Sequence, residues 1–337
     1  MNLSDPKYSK YALVREMLET SDVVNQFSHE STKQFADAIQ KKKALFLTGE
    51  GSSRIFPAKK AIYDILKAGG PMAIMTEGST QAMEYHLKDY AVFGASNSGK
   101  TKELVRLFMK LKEEGHDAFF GLTANKDTTL EQISMDTHVM NCGVEDAVAA
   151  TKSVIEQGLF YDSVLNHLEG TNMDGLNQLA EDIEKALTTT IDPELVSILK
   201  NADKIYFAGR NTGVAEELTL KTNEITRKKS DFLEGTYAVH GIEEVMDANE
   251  VVIVVDPFES EEQKFAECLI EGVGMKVIAI ASRKTSFPTV IIPEGGKFKE
   301  YVELAAGWNL LVEIGIALGI DLDKPVRARK VGNEYIL

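Results

Sequence analysis

Cysteine is almost absent. The 337 residues include only Cys142 and Cys268, too few for a disulfide framework and without the spacing of a zinc site. They read as reduced, buried thiols of a cytoplasmic protein. The six histidines form no H-E-x-x-H or similar pair, so no structural or catalytic metal is expected. Long hydrophobic runs are also missing. The longest, such as Val251–Val255, are far too short to cross a bilayer, so no membrane partner is expected. The opening MNLSDPKYSK lacks the apolar stretch of a secretory signal. Positive charge is in deficit: 37 Lys and Arg stand against 52 Asp and Glu, a formal net charge of −15. That balance argues against non-specific nucleic-acid binding, which leans on cationic contacts to phosphates. A small phosphorylated ligand is still allowed, because a local nest of N–H groups binds an anion inside an acidic protein.

Apolar residues at 44% and charged residues at 26% suit a globular chain with real cores, long enough for two domains. Apolar spacing predicts helix over Lys10–Ile39. It then predicts strands at Ala44–Thr48, Met72–Thr76, Tyr90–Phe93, Ala118–Thr123 and His138–Cys142, mostly separated by helices. That rhythm belongs to a parallel sheet covered on both faces. Long helices are expected over Thr151–Leu168 and Met173–Thr188. The pattern then returns with strands at Lys204–Ala208, Val251–Val255, Lys276–Ala281 and Val290–Ile292, followed by an apolar helix, Tyr301–Leu318. Gly49 and Gly209 lie 160 residues apart in similar strand–turn–helix settings, and Thr123 and Ser282 keep nearly that offset. A long-period duplication is therefore expected.

The stretch Tyr90–Phe108, YAVFGASNSGKTKELVRLF, holds the clearest ligand signal. A strand, a turn of hydroxyls and glycine, and an amphipathic helix follow one another, and a helix N-terminus of this kind suits an anion. Gly94 to Thr101 matches G-x-x-x-x-G-K-S/T, and Val251–Asp256 (VVIVVD) could supply the acidic strand end of a nucleotide site. Against that reading, the loop follows the third strand of its unit. Its hydroxyls Ser96, Ser98 and Thr101 suit a compact phosphomonoester, and VVIVVD lies in the other half of the duplication.

Three segments carry a family resemblance. Ser96-Asn97-Ser98-Gly99-Lys100-Thr101-Lys102-Glu103 resembles the S-x-S-G-x-T-x-E signature of sugar isomerase (SIS) domains. Gly51-Ser52-Ser53 resembles the family's G-S/T-S turn, and Glu145–Lys152 (EDAVAATK) resembles its E-x-x-V-A-(S/A)-T-K segment. With the duplication, the chain resembles tandem SIS proteins: the isomerase half of glucosamine-6-phosphate synthase, SIS-type glucosamine-6-phosphate deaminases and fructosamine-6-phosphate deglycases. In the second half, Leu220-Lys221-Thr222-Asn223-Glu224 looks like the family's L-K-x-K-E and Val239-His240-Gly241 like its x-H-G-P. Lys324-Pro325 and Lys330 resemble the tail that closes over the sugar. Asn223, Ile242 and Lys229-Ser230-Asp231 depart from the usual residues and bear on substrate identity.

The resemblance implies two tandem SIS-type, flavodoxin-like αβα units with parallel sheets. The expected order is an N-terminal helical segment (1–40), a first SIS domain (41–188), a second (189–320) and a C-terminal tail (321–337). It implies a cytoplasmic phosphosugar isomerase or isomerising deaminase that needs no cofactor. The leading expectation is conversion of glucosamine-6-phosphate to fructose-6-phosphate with release of ammonia, from a substrate amine and not from a glutaminase segment. A deglycase, a simple aldose–ketose phosphate isomerase and a non-catalytic sugar-phosphate sensor are the alternatives. Glu224 is the expected proton-shuttling base, His240 the ring-opening acid–base, Lys221 the residue that positions Glu224 or meets the ligand, and Lys330 the charge on the open-chain sugar. Ser53, Ser96, Asn97, Ser98 and Thr101 are expected to hold the phosphate, with Val148 and Ala150 along the sugar. A homodimer is implied, with His240 completing its own or the partner's site.

Overall fold

Alternating strands and helices build two five-stranded parallel sheets in the computed structural model, which describes residues 1–42, 44–327 and 334–335. Two compact units result. The first-sheet unit comprises Asp22–Glu145 and Ala150–Leu176, together with Arg327, Glu334 and Tyr335 of the tail. The second-sheet unit comprises Met1–Ser21, Asp146–Ala149 and Asn177–Val326. The units therefore are not consecutive halves of the chain: all but the first residue of the helix Leu176–Thr188 belongs with the second sheet.

The first sheet contains β1 (Ala44–Gly49), β2 (Ala73–Gly78), β3 (Tyr90–Ala95), β4 (Phe119–Thr123) and β5 (Asp136–Val139), in the order β2-β1-β3-β4-β5. The second contains β6 (Lys204–Gly209), β7 (Lys229–Glu234), β8 (Val251–Val255), β9 (Lys276–Ala281) and β10 (Thr289–Ile291), in the order β10-β9-β8-β6-β7. Counted from its own first strand, each sheet reads 2-1-3-4-5, the doubly wound order whose ligand crevice opens where the strand order reverses. The αβα architecture and its repetition agree with the expected fold class.

Interior strands follow their hydropathy. Every residue of β4 and β8 is buried, as expected where helices cover both faces. Edge strands do not. β7, KSDFLE, has a single fully buried residue, Leu233, and no apolar run announced it. β5 begins at Asp136, two residues before the expected start, and does not reach Cys142. The expected helix over Lys10–Ile39 is several short ones: Ala12–Leu18, Thr20–Gln26 and Lys33–Ile39, with a 3₁₀ turn at His29–Thr32. The helix Lys152–Glu169 is buried on every face as far as Leu165 and forms one wall of the first-sheet core, where Phe160 meets Phe93 and Phe35. No helix among the described residues is long and apolar enough to cross a membrane.

Candidate active site

β1 and β3 are neighbours at the reversal point of the first sheet, and the turns that follow them carry residues expected to hold a phosphate. After β3, Ser96 donates its N–H to Leu122 O at 2.9 Å, extending the ladder to β4 by one residue. The chain then turns. Gly99 N–H donates to Ser96 O at 3.1 Å, and Gly99 itself has φ +63° with the Thr128 side chain only 2.5 Å from where a Cβ would sit. Only glycine fits both the left-handed backbone and that close approach. Thr101 caps the helix Lys102–Glu113 without a side-chain cap bond; its hydroxyl instead lies 2.8 Å from that of Ser96. Leu104, Leu107, Phe108 and Leu111 bury the inner face of that helix and fix its N-terminus behind the turn.

Among the described residues, the N–H groups of Asn97 and Ser98 meet no acceptor. Two such donors at a helix N-terminus, beside three hydroxyls, are groups of the kind that can take an anion. Lys100 is exposed. Ser53 lies in the 3₁₀ turn after β1, against Gly49, and Ala150 belongs to the same unit. The Asn97 side chain faces inward: its amide donates to Glu145 at 2.8 Å and lies 3.0 Å from Ser153 Oγ. Glu145 is 3% exposed and also accepts from the Thr151 N–H at 2.6 Å and the Thr151 hydroxyl at 3.1 Å. This carboxylate thus ties the serine turn to the start of the long helix. It stands first in the EDAVAATK segment, the one signal that could have marked it.

The tail reaches the same turn. Tyr335 N–H donates to Lys100 O at 2.8 Å, and Glu334 pairs with Thr101 as an antiparallel bridge. Lys330 lies outside the described residues. Glu50, just past β1, is a rim carboxyl that sequence reasoning did not single out. Burial pushes its pKa up, the Ser79 N–H (3.0 Å) pulls it back, and Glu103 adds a like charge.

The second-sheet unit holds the expected acid–base residues. The helix Val214–Lys221 widens into a π-helical turn, Thr222–Thr226, that carries Glu224. Such widenings often mark functional positions. Lys221 has no exposed side-chain surface; its ammonium lies 2.8 Å from Glu224 and 3.3 Å from Glu217, while Glu224 keeps 26% exposure. Burial by itself disfavours the lysine's charge, but Glu224 and then Glu217 outweigh it and push its pKa up to about 12. Lys221 and Glu224 are thus ion-paired on one face of this helix. Glu217, the second partner of Lys221, was missed although the four-residue spacing pointed to it. His240 is exposed, with Nε2 3.2 Å from Lys264 Nζ, and among the described residues no hydrogen bond joins it to Glu224. Val148 is held in the same unit by its N–H to Asp323 O, 3.3 Å, and Glu16 accepts from the N–H groups of Asp146 and Ala147 beside it.

The acidic end of VVIVVD is already taken. Asp256 Oδ2 meets Arg210 at 2.5 Å and Lys299 at 2.6 Å, which weighs against the nucleotide reading.

Comparison with known proteins agrees with this fold. The family model of the SIS domain matches residues 38–167. The glutamine–fructose-6-phosphate aminotransferase (isomerizing) of Sulfolobus acidocaldarius is 26% identical over 173 residues, which are 50% of this chain and 29% of that protein. Among solved structures, the C-terminal domain of glucosamine-fructose-6-phosphate aminotransferase from Francisella tularensis superposes with a TM-score of 0.78 at 19% identity, covering 94% of this chain and 98% of that one. Tagatose-6-phosphate ketose/aldose isomerase from Escherichia coli gives 0.77 at 18% identity, covering 95% and 98%. At such identities these structures share the fold.

Proposed function

We propose that this chain is a sugar-phosphate isomerase of the SIS type acting on an amino-sugar phosphate, with glucosamine-6-phosphate as the substrate and fructose-6-phosphate and ammonia as the products. The observation that carries the reading is the Ser96–Thr101 turn, whose hydroxyls and two open N–H groups stand at the reversal point of the first sheet. Its small size and the exposure of Lys100 favour a phosphomonoester.

In the proposed reaction His240 opens the ring to the C1 aldehyde. Glu224, ion-paired with Lys221, takes the C2 proton, and the electron pair forms an enolamine. Return of the proton to C1 gives the C2 imine, and water hydrolyses it to the ketone and ammonia. Lys330 is proposed to stabilise the developing oxygen charge, and a homodimer to supply His240 from either subunit. Ser53 and Ala150 are assigned to the phosphate and sugar, as is Val148. Asn97 contributes through its backbone, since Glu145 holds its side chain.

The test is incubation with glucosamine-6-phosphate while ammonia and fructose-6-phosphate are followed. Absence of both products would count against the substrate. The near-equal likeness to a ketose/aldose isomerase supports simple aldose–ketose isomerisation as the second reading. That activity would interconvert a ketose phosphate with no ammonia. A fructosamine-6-phosphate substrate, the deglycase case, would release its amine in the same assay. A sensor would bind the sugar phosphate and turn over none of these.

A further inference from the structure

The second sheet repeats the reversal-point geometry of the first, with different charges around it. In the first sheet Gly49 is opposite Ala95, and a Cβ on Gly49 would come 2.7 Å from Ala95 O. In the second sheet Gly209 approaches Val255 in the same way: its Cβ would come 2.5 Å from Val255 O. The residue after Ala95 is Ser96, whose N–H donates to β4. The residue after Val255 is Asp256, whose N–H donates to β9 at 2.9 Å from Ile280 O. Ser96 and Asp256 therefore occupy equivalent positions, each one step past the third strand of a 2-1-3-4-5 sheet.

Their surroundings are opposite in sign. Around Ser96 there are hydroxyls and open N–H groups. Around Asp256 there are two cations: Arg210, from the turn after β6, and Lys299, at the start of the helix Lys299–Ala317. Both meet the same carboxylate oxygen. Arg210 also donates to the Asp256 backbone carbonyl and packs over the Phe258 ring, 4.1 Å from its centroid. Asp256 has φ +45°, a left-handed conformation disfavoured for a non-glycine residue, held here by these contacts. Glu303 lies 3.7 Å from Lys299, and burial holds its carboxyl well above the usual range. Among the described residues Asp256 is the carboxylate that both cations meet.

We propose that Asp256 is a resident anion: its carboxylate occupies, in the second sheet, the place that a phosphate takes in the first, and it closes that place to phosphomonoesters. The chain accordingly binds one sugar phosphate and not two. Removing the carboxylate leaves Arg210 and Lys299 as a cationic pair matched to a dianion.

Isothermal titration of the full chain with inorganic phosphate tests this. Asp256→Asn is expected to bind one phosphate more than the unaltered protein, and Arg210→Gln added to it is expected to abolish the extra site. Asp256→Ser, which places at 256 the residue type found at 96, is run alongside in case the amide variant does not fold. Arg210→Gln alone is expected to leave the phosphate count unchanged. A folded Asp256 variant with an unchanged count would overturn the proposal. So would loss of a phosphate site from the unaltered chain on Arg210→Gln. The inference uses the serine-turn reading only for the first site. If the unaltered protein bound no phosphate, that reading would fail while the gain in the Asp256 variant stayed measurable.

Discussion

The Lys221 ammonium, with none of its side chain exposed, lies 2.8 Å from a Glu224 carboxylate that keeps 26% of its own surface open. A fixed buried cation behind a reachable carboxylate suits a base that must be ionised before it takes a proton. Glu224→Gln is therefore expected to lower kcat by about 10² to 10⁴ while KM stays within a few-fold. Steady-state kinetics on the active substrate checks this, and full turnover by the variant would rule out Glu224 as the base.

Lys221 also neutralises Glu217, which is fully buried. Replacing Lys221 by Met leaves a buried carboxylate without its cation, and such removals cost about 3–5 kcal/mol. Urea denaturation should show a loss of that order. Adding Glu217→Gln should recover part of it, because the uncompensated charge is then gone.

At the serine turn, Ser98→Ala removes a hydroxyl from the proposed anion site. Hydrogen bonds to charged groups contribute about 1.5–3 kcal/mol, so KM should rise about tenfold or more with little change in kcat. Lys100, exposed beside it, should tolerate Ala with less than about a fivefold change, since an exposed charge contributes at most about 1 kcal/mol. The opposite pair of results would restore the nucleotide reading.

Tyr335 N–H bonds Lys100 O at 2.8 Å, which links the tail to the back of that turn. A chain ending at Arg327 loses this bond and the Glu334 bridge. We expect a several-fold rise in KM and, because Lys330 goes with the tail, a fall in kcat, with the fold retained by circular dichroism. An unchanged KM would show that the tail has no part in substrate binding.

His138 is 8% exposed and packs on Phe160, with ring centroids 4.8 Å apart. Burial pulls its pKa down from 6.5 to about 4. Between those values the unfolded chain binds a proton that the folded chain does not, so stability falls as pH drops through that window. The shift corresponds to roughly 3 kcal/mol by pH 4. Denaturation midpoints from pH 7 to pH 4 should show this loss, and His138→Phe should reduce the slope. An identical slope in the variant would assign the acid sensitivity to other groups.

Much of the fold was legible because it is locally encoded. Runs such as Val251–Val255 and Leu45–Leu47 are buried strands, and the glycines 160 residues apart do mark equivalent strand ends. The serine turn was legible for the same reason: glycine, hydroxyls and an amphipathic helix define it within a dozen residues. Edge strands escaped, because a strand such as β7 buries one side chain fully and needs no apolar alternation. The break-up of Lys10–Ile39 into short helices escaped as well, since the apolar stripe continues across the joints.

What the sequence by itself determined is therefore the two-fold α/β plan and the chemistry of the turn after β3. Tertiary structure alone decided which charges meet. VVIVVD reads as an acidic strand end open to a ligand, yet Asp256 is satisfied by Arg210 and Lys299, 46 and 43 residues away along the chain. Asn97 reads as a phosphate ligand, yet its amide turns to Glu145, 48 residues on. Hydropathy and turn chemistry act between near neighbours in sequence. Ion pairs and buried hydrogen bonds form between groups that only the packed sheets bring within 3 Å, and no local pattern records them.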